Sequence, residues 1–149
     1  MSRATLIKAV ADHLAKQRKR ALSEGGVCQY KAPDGAMCAI GGILPPELYS
    51  FQIEGLGVNL LLDKPGRSSG NVARSAVANY LREQIPEVPV TAQILVLREI
   101  QRYHDRQDEE SYEHHIGLHS NLPDEEFSDI IYYELMNRTA RQLQEHHES

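Results

Sequence analysis

Apolar residues recur at helical spacing over most of the chain, and between residues 25 and 70 a stretch dense in glycine and proline interrupts the pattern. Leu6, Ala9, Val10, His13 and Leu14 predict a first helix from about Ala4 to Glu24, which Gly25-Gly26 stops. Val72, Ala76, Val77 and Tyr80 or Leu81 mark a second, from about Asn71 to Gln84, ended by Pro86. Thr91 is placed to cap a third through about Arg106, with Ile94, Leu97, Ile100 and His104 on one stripe. Asp108 is a cap for a shorter helix through His119. Pro123 opens the last one, whose inward face is Phe127, Ile130, Ile131, Leu135 and Leu143, while the polar tail Gln144 to Ser149 is expected to fray.

Within the interruption, Pro33-Asp34-Gly35 combines a fixed φ, a side chain that bonds its own backbone and a residue free to take positive φ. That turn predicts a β-hairpin over about 27–41, with Val27 to Lys31 and Met37 to Ile40 as strands. A three-residue loop sets Tyr30 opposite Cys38 and Cys28 opposite Ile40, so both thiols share a face. Pro45-Pro46-Glu47-Leu48-Tyr49 reads as a short helix. Val58 to Leu62 fits either a third strand or a helical turn, and Lys64 to Gly70 reads as a flexible loop. The expected class is α+β and mostly helical: four to six helices packed around a small β-hairpin, in a single domain spanning 1–149.

A chain of 149 residues with 41% apolar content can bury one modest core. No apolar run approaches the roughly 20 residues that span a bilayer, and the N-terminus lacks signal-peptide organisation. A cytoplasmic location without membrane partners is expected, where two cysteines do not imply a structural disulfide. The net charge of −5 conceals a polarity: Met1 to Glu24 carries +4 and Asp105 to Ser149 carries −9. An acidic helical half over about 91–149 therefore offers Asp108, Glu109, Glu110, Glu113, Asp124 and Glu125 to a basic partner. The overall acidity argues against direct nucleic-acid binding through a basic surface, although Lys16, Arg18, Lys19 and Arg20 form a local basic cluster.

Nine residues separate Cys28 from Cys38, which is not zinc-knuckle spacing, and no second Cys/His pair completes a structural site. His115 and His119 stand at i, i+4 near Glu113 and His114, but without an HExxH pattern. No metal and no cofactor are expected. A nucleophilic cysteine needs a base within reach. Cys38 is the candidate, because Gly41-Gly42 behind it offers free backbone N–H groups and His104-Asp105 could supply base and orienting carboxylate. The milder reading of the same region is a small-ligand site, for a nucleotide for example, built from Tyr30, Cys38, Tyr49, Glu54, Gln101 and His104.

The run CQYKAPDGAMCAIGGILPPELY, followed by Glu54-Gly55, Val58 and later Ile100-Gln101 with Tyr103-His104-Asp105, resembles a family of small uncharacterised bacteriophage and prophage proteins. Their pattern is C-x-Y, CA-x-G, P-x-E-L-Y and EG, then an LQ-x-IHD-like helix, and Gly42 stands where many members carry Cys or His. The resemblance implies a mobile-element origin and one structural unit containing Cys28, Tyr30, Cys38, Glu54 and His104. It implies no activity. The expectation with most support at this level is a phage-type, non-enzymatic interaction protein that modulates a host protein, for instance a defence component, through its acidic helices, with homo-oligomerisation possible. The alternative is nucleotide binding or thiol-dependent hydrolysis at Cys38 and His104.

Overall fold

The computed structural model describes residues 2–62 and 72–148. The expected loop Lys64 to Gly70 and the expected helix start at Asn71 lie outside them. Among the described residues the architecture is helical: α1 (Arg3–Gln17), a single turn α2 (Val58–Leu61), α3 (Val72–Glu83), α4 (Val90–Asp105), α5 (Tyr112–Leu118) and α6 (Asp124–Glu148). Three short 3-10 turns, Gly41–Ile43, Pro46–Leu48 and Phe51–Ile53, lie between α1 and α2. The Pro-Pro segment thus makes a 3-10 turn, and Val58 to Leu62 is helical, not a strand.

The α+β expectation is overturned, because the described residues contain no strand, sheet or hairpin. Residues 27–41 make only isolated antiparallel bridges, Lys31 with Met37 and Cys28 with Leu22, so Cys28 does not pair with Ile40. Side chains from elsewhere take the donors a ladder would need. Glu54 accepts the N–H of Tyr30 at 2.9 Å and of Lys31 at 3.0 Å. Gln17 accepts from Met37 N–H at 2.8 Å, and Gln101 from Ile40 N–H at 3.2 Å. What survives of the expected register is the Cys38 N–H bond to the Tyr30 carbonyl, 3.2 Å, and a tight turn at Gly35, φ 91°. Gly41 backs onto Tyr30 so closely that an added Cβ would lie 2.0 Å from its carbonyl oxygen.

Helix α1 ends seven residues earlier than expected. Arg18 caps it in the left-handed region, φ 54°, where a non-glycine residue is strained by roughly 1 kcal/mol. Its guanidinium holds that conformation by donating to the carbonyls of His119 at 3.3 Å and Leu122 at 2.6 Å and to Asp124 at 3.1 Å. The chain then folds back on itself through Ala21 and Ser23 to Gly26. Ser2 caps the start of α1. Pro89, not Thr91, precedes α4. Helix α5 begins at Tyr112 because Asp108 turns inward on the Glu110 N–H at 3.2 Å and its carbonyl accepts the Ser111 hydroxyl at 2.6 Å. Helix α6 continues to Glu148.

The core forms where α6 lies against both α1 and α4. Leu6, Val10 and Leu14 of α1, Val96, Leu97 and Ile100 of α4, and Phe127, Ile131 and Leu135 of α6 are all buried. Burying Phe127 alone contributes roughly 2–3 kcal/mol. Polar ties fix the packing: Arg3 donates to Thr139 at 2.6 Å, Ser128 to Asp12 at 2.6 Å, and Tyr112 to the Leu14 carbonyl at 2.6 Å. Helices α2 and α5 also pack on α4, residues 20, 21 and 40 of the irregular segment 18–57 hydrogen-bond to it, and the candidate site lies along that seam.

Candidate functional site

Cys38 is fully buried, and its Sγ accepts the Gly41 N–H at 3.2 Å. Burial pushes its thiol up to about 12, against the pull of that hydrogen bond. A thiol so placed carries almost no nucleophilic thiolate near neutrality. His104 is fully buried as well, and both ring nitrogens are engaged. Nε2 accepts the Ala21 N–H at 3.1 Å, which puts the ring proton on Nδ1, where it is donated to Asp105 Oδ1 at 2.7 Å. No lone pair is left on His104 to take a proton from a thiol.

The thiol the structure brings to this corner is Cys28. Its Sγ, a His104 ring nitrogen and an Asp105 carboxylate oxygen lie within 4.8 Å of one another. Three such donors could in principle hold a metal ion. Two features oppose it: a metal on Nδ1 would force the remaining proton onto Nε2, against the Ala21 N–H, and Arg20 Nη2 already donates to Sγ at 3.2 Å. Burial and the Asp105 carboxylate raise the Cys28 thiol, with Arg20 opposing them. The cluster is a closed network. Arg20 also donates to the Asp105 carbonyl at 2.6 Å and to Glu113 at 3.3 Å.

Beside this network a groove of about 530 Å³ runs between residues 27–30, residues 54–58 and one face of α4. Its walls are Val27, Tyr30, Leu56 and Val58, and α4 contributes Arg98, Gln101, Arg102 and Asp105. Of the expected ligand residues, Tyr30, Glu54 and Gln101 line it, Tyr49 hydrogen-bonds Glu54 at 2.7 Å, and Cys38 and His104 lie in the core. Glu54 is a clamp, its two oxygens accepting from Tyr30 N–H, Lys31 N–H and the Tyr49 hydroxyl. Burial, then Glu54, push the Tyr49 phenol up to about 12. Tyr30 turns its hydroxyl to the Leu56 carbonyl at 2.5 Å, and burial raises its phenol further still. Gln101 braces the wall from behind, donating to Asp105 at 2.9 Å while accepting from Ile40.

The expected partner face divides. Glu113 is tied to Arg20 and Asp124 to Arg18, and Asp108 closes its own turn. Glu109, Glu110 and Glu125 are exposed without an ion pair among the described residues. Glu109 and Glu110, with Glu145, border a hollow of about 560 Å³ beside α6. Three members of the basic cluster are likewise engaged internally: Arg18 with Asp124, Lys19 with Asp34 at 3.1 Å and Arg20 with Glu113.

Sequence reasoning missed Arg98 and Arg102. Their signal is the spacing 98, 101, 102, 105, which is i, i+3, i+4, i+7 and lays a polar stripe along one side of α4. No protein-family model, curated protein or solved structure matches the chain. The resemblance to bacteriophage proteins rests on the residues quoted for it. No helix of the described residues is long and apolar enough to cross a membrane.

Proposed function

We propose that the protein is a non-enzymatic binding module that takes a small molecule into the groove along α4. The observation that supports this reading is the bracing of the groove walls: Glu54 ties the backbone of residues 30 and 31 to the 54–58 wall, and Gln101 ties residue 40 to α4, before any ligand arrives. Preformed concave sites with apolar walls and a few directional polar groups are where small ligands bind, and walls already ordered reduce the entropy lost on binding. Neither thiol is poised for attack, which favours binding over turnover. Native mass spectrometry of the protein incubated with a small-molecule cell extract tests this. A retained adduct that Gly57→Phe abolishes is expected, since a Cβ at Gly57 meets open space at the groove. An adduct unaffected by that substitution overturns it.

A second reading, capture of a basic host protein, is supported by Glu109, Glu110 and Glu145, which have no ion pair among the described residues and border the hollow beside α6 together with Arg138 and Arg141. Reversing those three charges would abolish such capture, and unchanged capture by the reversed variant would remove it.

A further inference from the structure

The distribution of unsatisfied charge along α4 indicates which ligand chemistry fits the groove. Of the two carboxylates lining the groove, Glu54 has its oxygens directed at three donors, and Asp105 Oδ1 accepts from both His104 and Gln101. The cations are less engaged. Arg98 has no hydrogen bond or ion pair among the described residues. Arg102 reaches Glu99 at 3.3 Å, but that carboxylate is shared with Arg138 at 3.5 Å, and the Arg102 side chain keeps 38% of its surface exposed. Arg98 and Arg102 are one helical turn apart, about 6 Å. Asp105 lies seven residues from Arg98, about 10 Å along the axis and beyond the roughly 8 Å Debye length at physiological salt, and three residues, about 4.5 Å, from Arg102.

We infer that the groove selects a small organic anion, a carboxylate or phosphate held by Arg98 and Arg102, with its apolar portion on Tyr30, Leu56 and Val58. A planar guanidinium with unused donors suits either group, because both present paired oxygens at the spacing of its N–H fork. The apolar wall rules in an organic group beside the charge, since a bare inorganic ion would leave that surface wet. This inference rests on the groove reading and can fail without it.

Benzoate, phenyl phosphate and neutral benzamide, each titrated into the protein and followed through the Gly55 and Gly57 amide resonances, test it. The two anions are expected to bind about tenfold or more tightly than benzamide, as charge-assisted hydrogen bonding implies, and to weaken as salt is raised. Arg98→Gln, a surface change that leaves the core intact, should remove that preference while benzamide binding persists. A larger advantage for one anion assigns the headgroup, carboxylate or phosphate. Equal binding of benzamide and the anions overturns the anion inference and leaves the groove standing, as does a preference that Arg98→Gln does not touch. Resonances at Gly55 and Gly57 that no probe moves overturn both.

Discussion

His104 Nε2 accepts the backbone N–H of Ala21 at 3.1 Å, joining positions 83 residues apart in sequence. That bond makes His104 a fastener between α4 and the irregular segment after α1. His104→Ala would strand the Ala21 N–H and leave a cavity in the core, so a loss of roughly 3 kcal/mol is expected in chemical denaturation. His104→Gln, whose amide oxygen can accept from Ala21, should recover part of it. Nitrogen NMR should show the Nδ1–H tautomer in the native protein.

The two cysteines differ in access. Cys38 is fully buried and its thiol pushed up to about 12, whereas Cys28 is half-buried at the groove, raised by burial and Asp105. Native protein at mildly alkaline pH should alkylate at Cys28 alone, more slowly than a free thiol, and at both sites only after denaturation. Peptide mapping of iodoacetamide adducts checks this. Fast native labelling of Cys38 would contradict its place in the core.

Glu54 is the clamp on which the groove's shape depends. Glu54→Gln removes a charged acceptor from two backbone N–H groups and one phenol, and a loss of roughly 2 kcal/mol is expected in urea unfolding. Because the lost backbone bonds lie at 30 and 31, amide hydrogen exchange should speed up there and not in α6.

Acid sensitivity should arise from two histidines. Burial holds both His13 and His115 below the ordinary histidine value; His119 and His114 add to the effect at His115, and the Met37 carbonyl opposes it at His13. The unfolded chain therefore binds protons that the native state refuses. Their contribution is complete above about pH 6.5 and is lost as pH falls through that value toward the lower native ones. Urea midpoints between about pH 8 and pH 5 should decline mainly below 6.5. His115→Gln should flatten the decline, and stability that rises on acidification would contradict the assignment.

The helices were legible because their stripes match single helical faces: Leu97, Ile100 and His104 are buried on α4, and Phe127, Ile131 and Leu135 on α6. The hairpin was misread because a turn signal at Pro33 to Gly35 reports local geometry only. The donors that would have made a ladder are taken by Gln17, Glu54 and Gln101, whose proximity depends on tertiary closure. Similarly, the end of α1 is fixed by Arg18 reaching carbonyls a hundred positions away. In the site, the polar stripe of α4 could be read from spacing alone, whereas the meeting of Cys28, not Cys38, with His104 and Asp105 could not.

Hydrogen exchange measured peptide by peptide, with the small-molecule fraction and the protein fraction of a cell extract added separately, tests the central claim most directly. The account predicts that the small-molecule fraction slows exchange at residues 27–31 and 54–58, which form the groove walls opposite α4. Protection produced only by the protein fraction, and confined to residues 108–110 and 141–145, would contradict it.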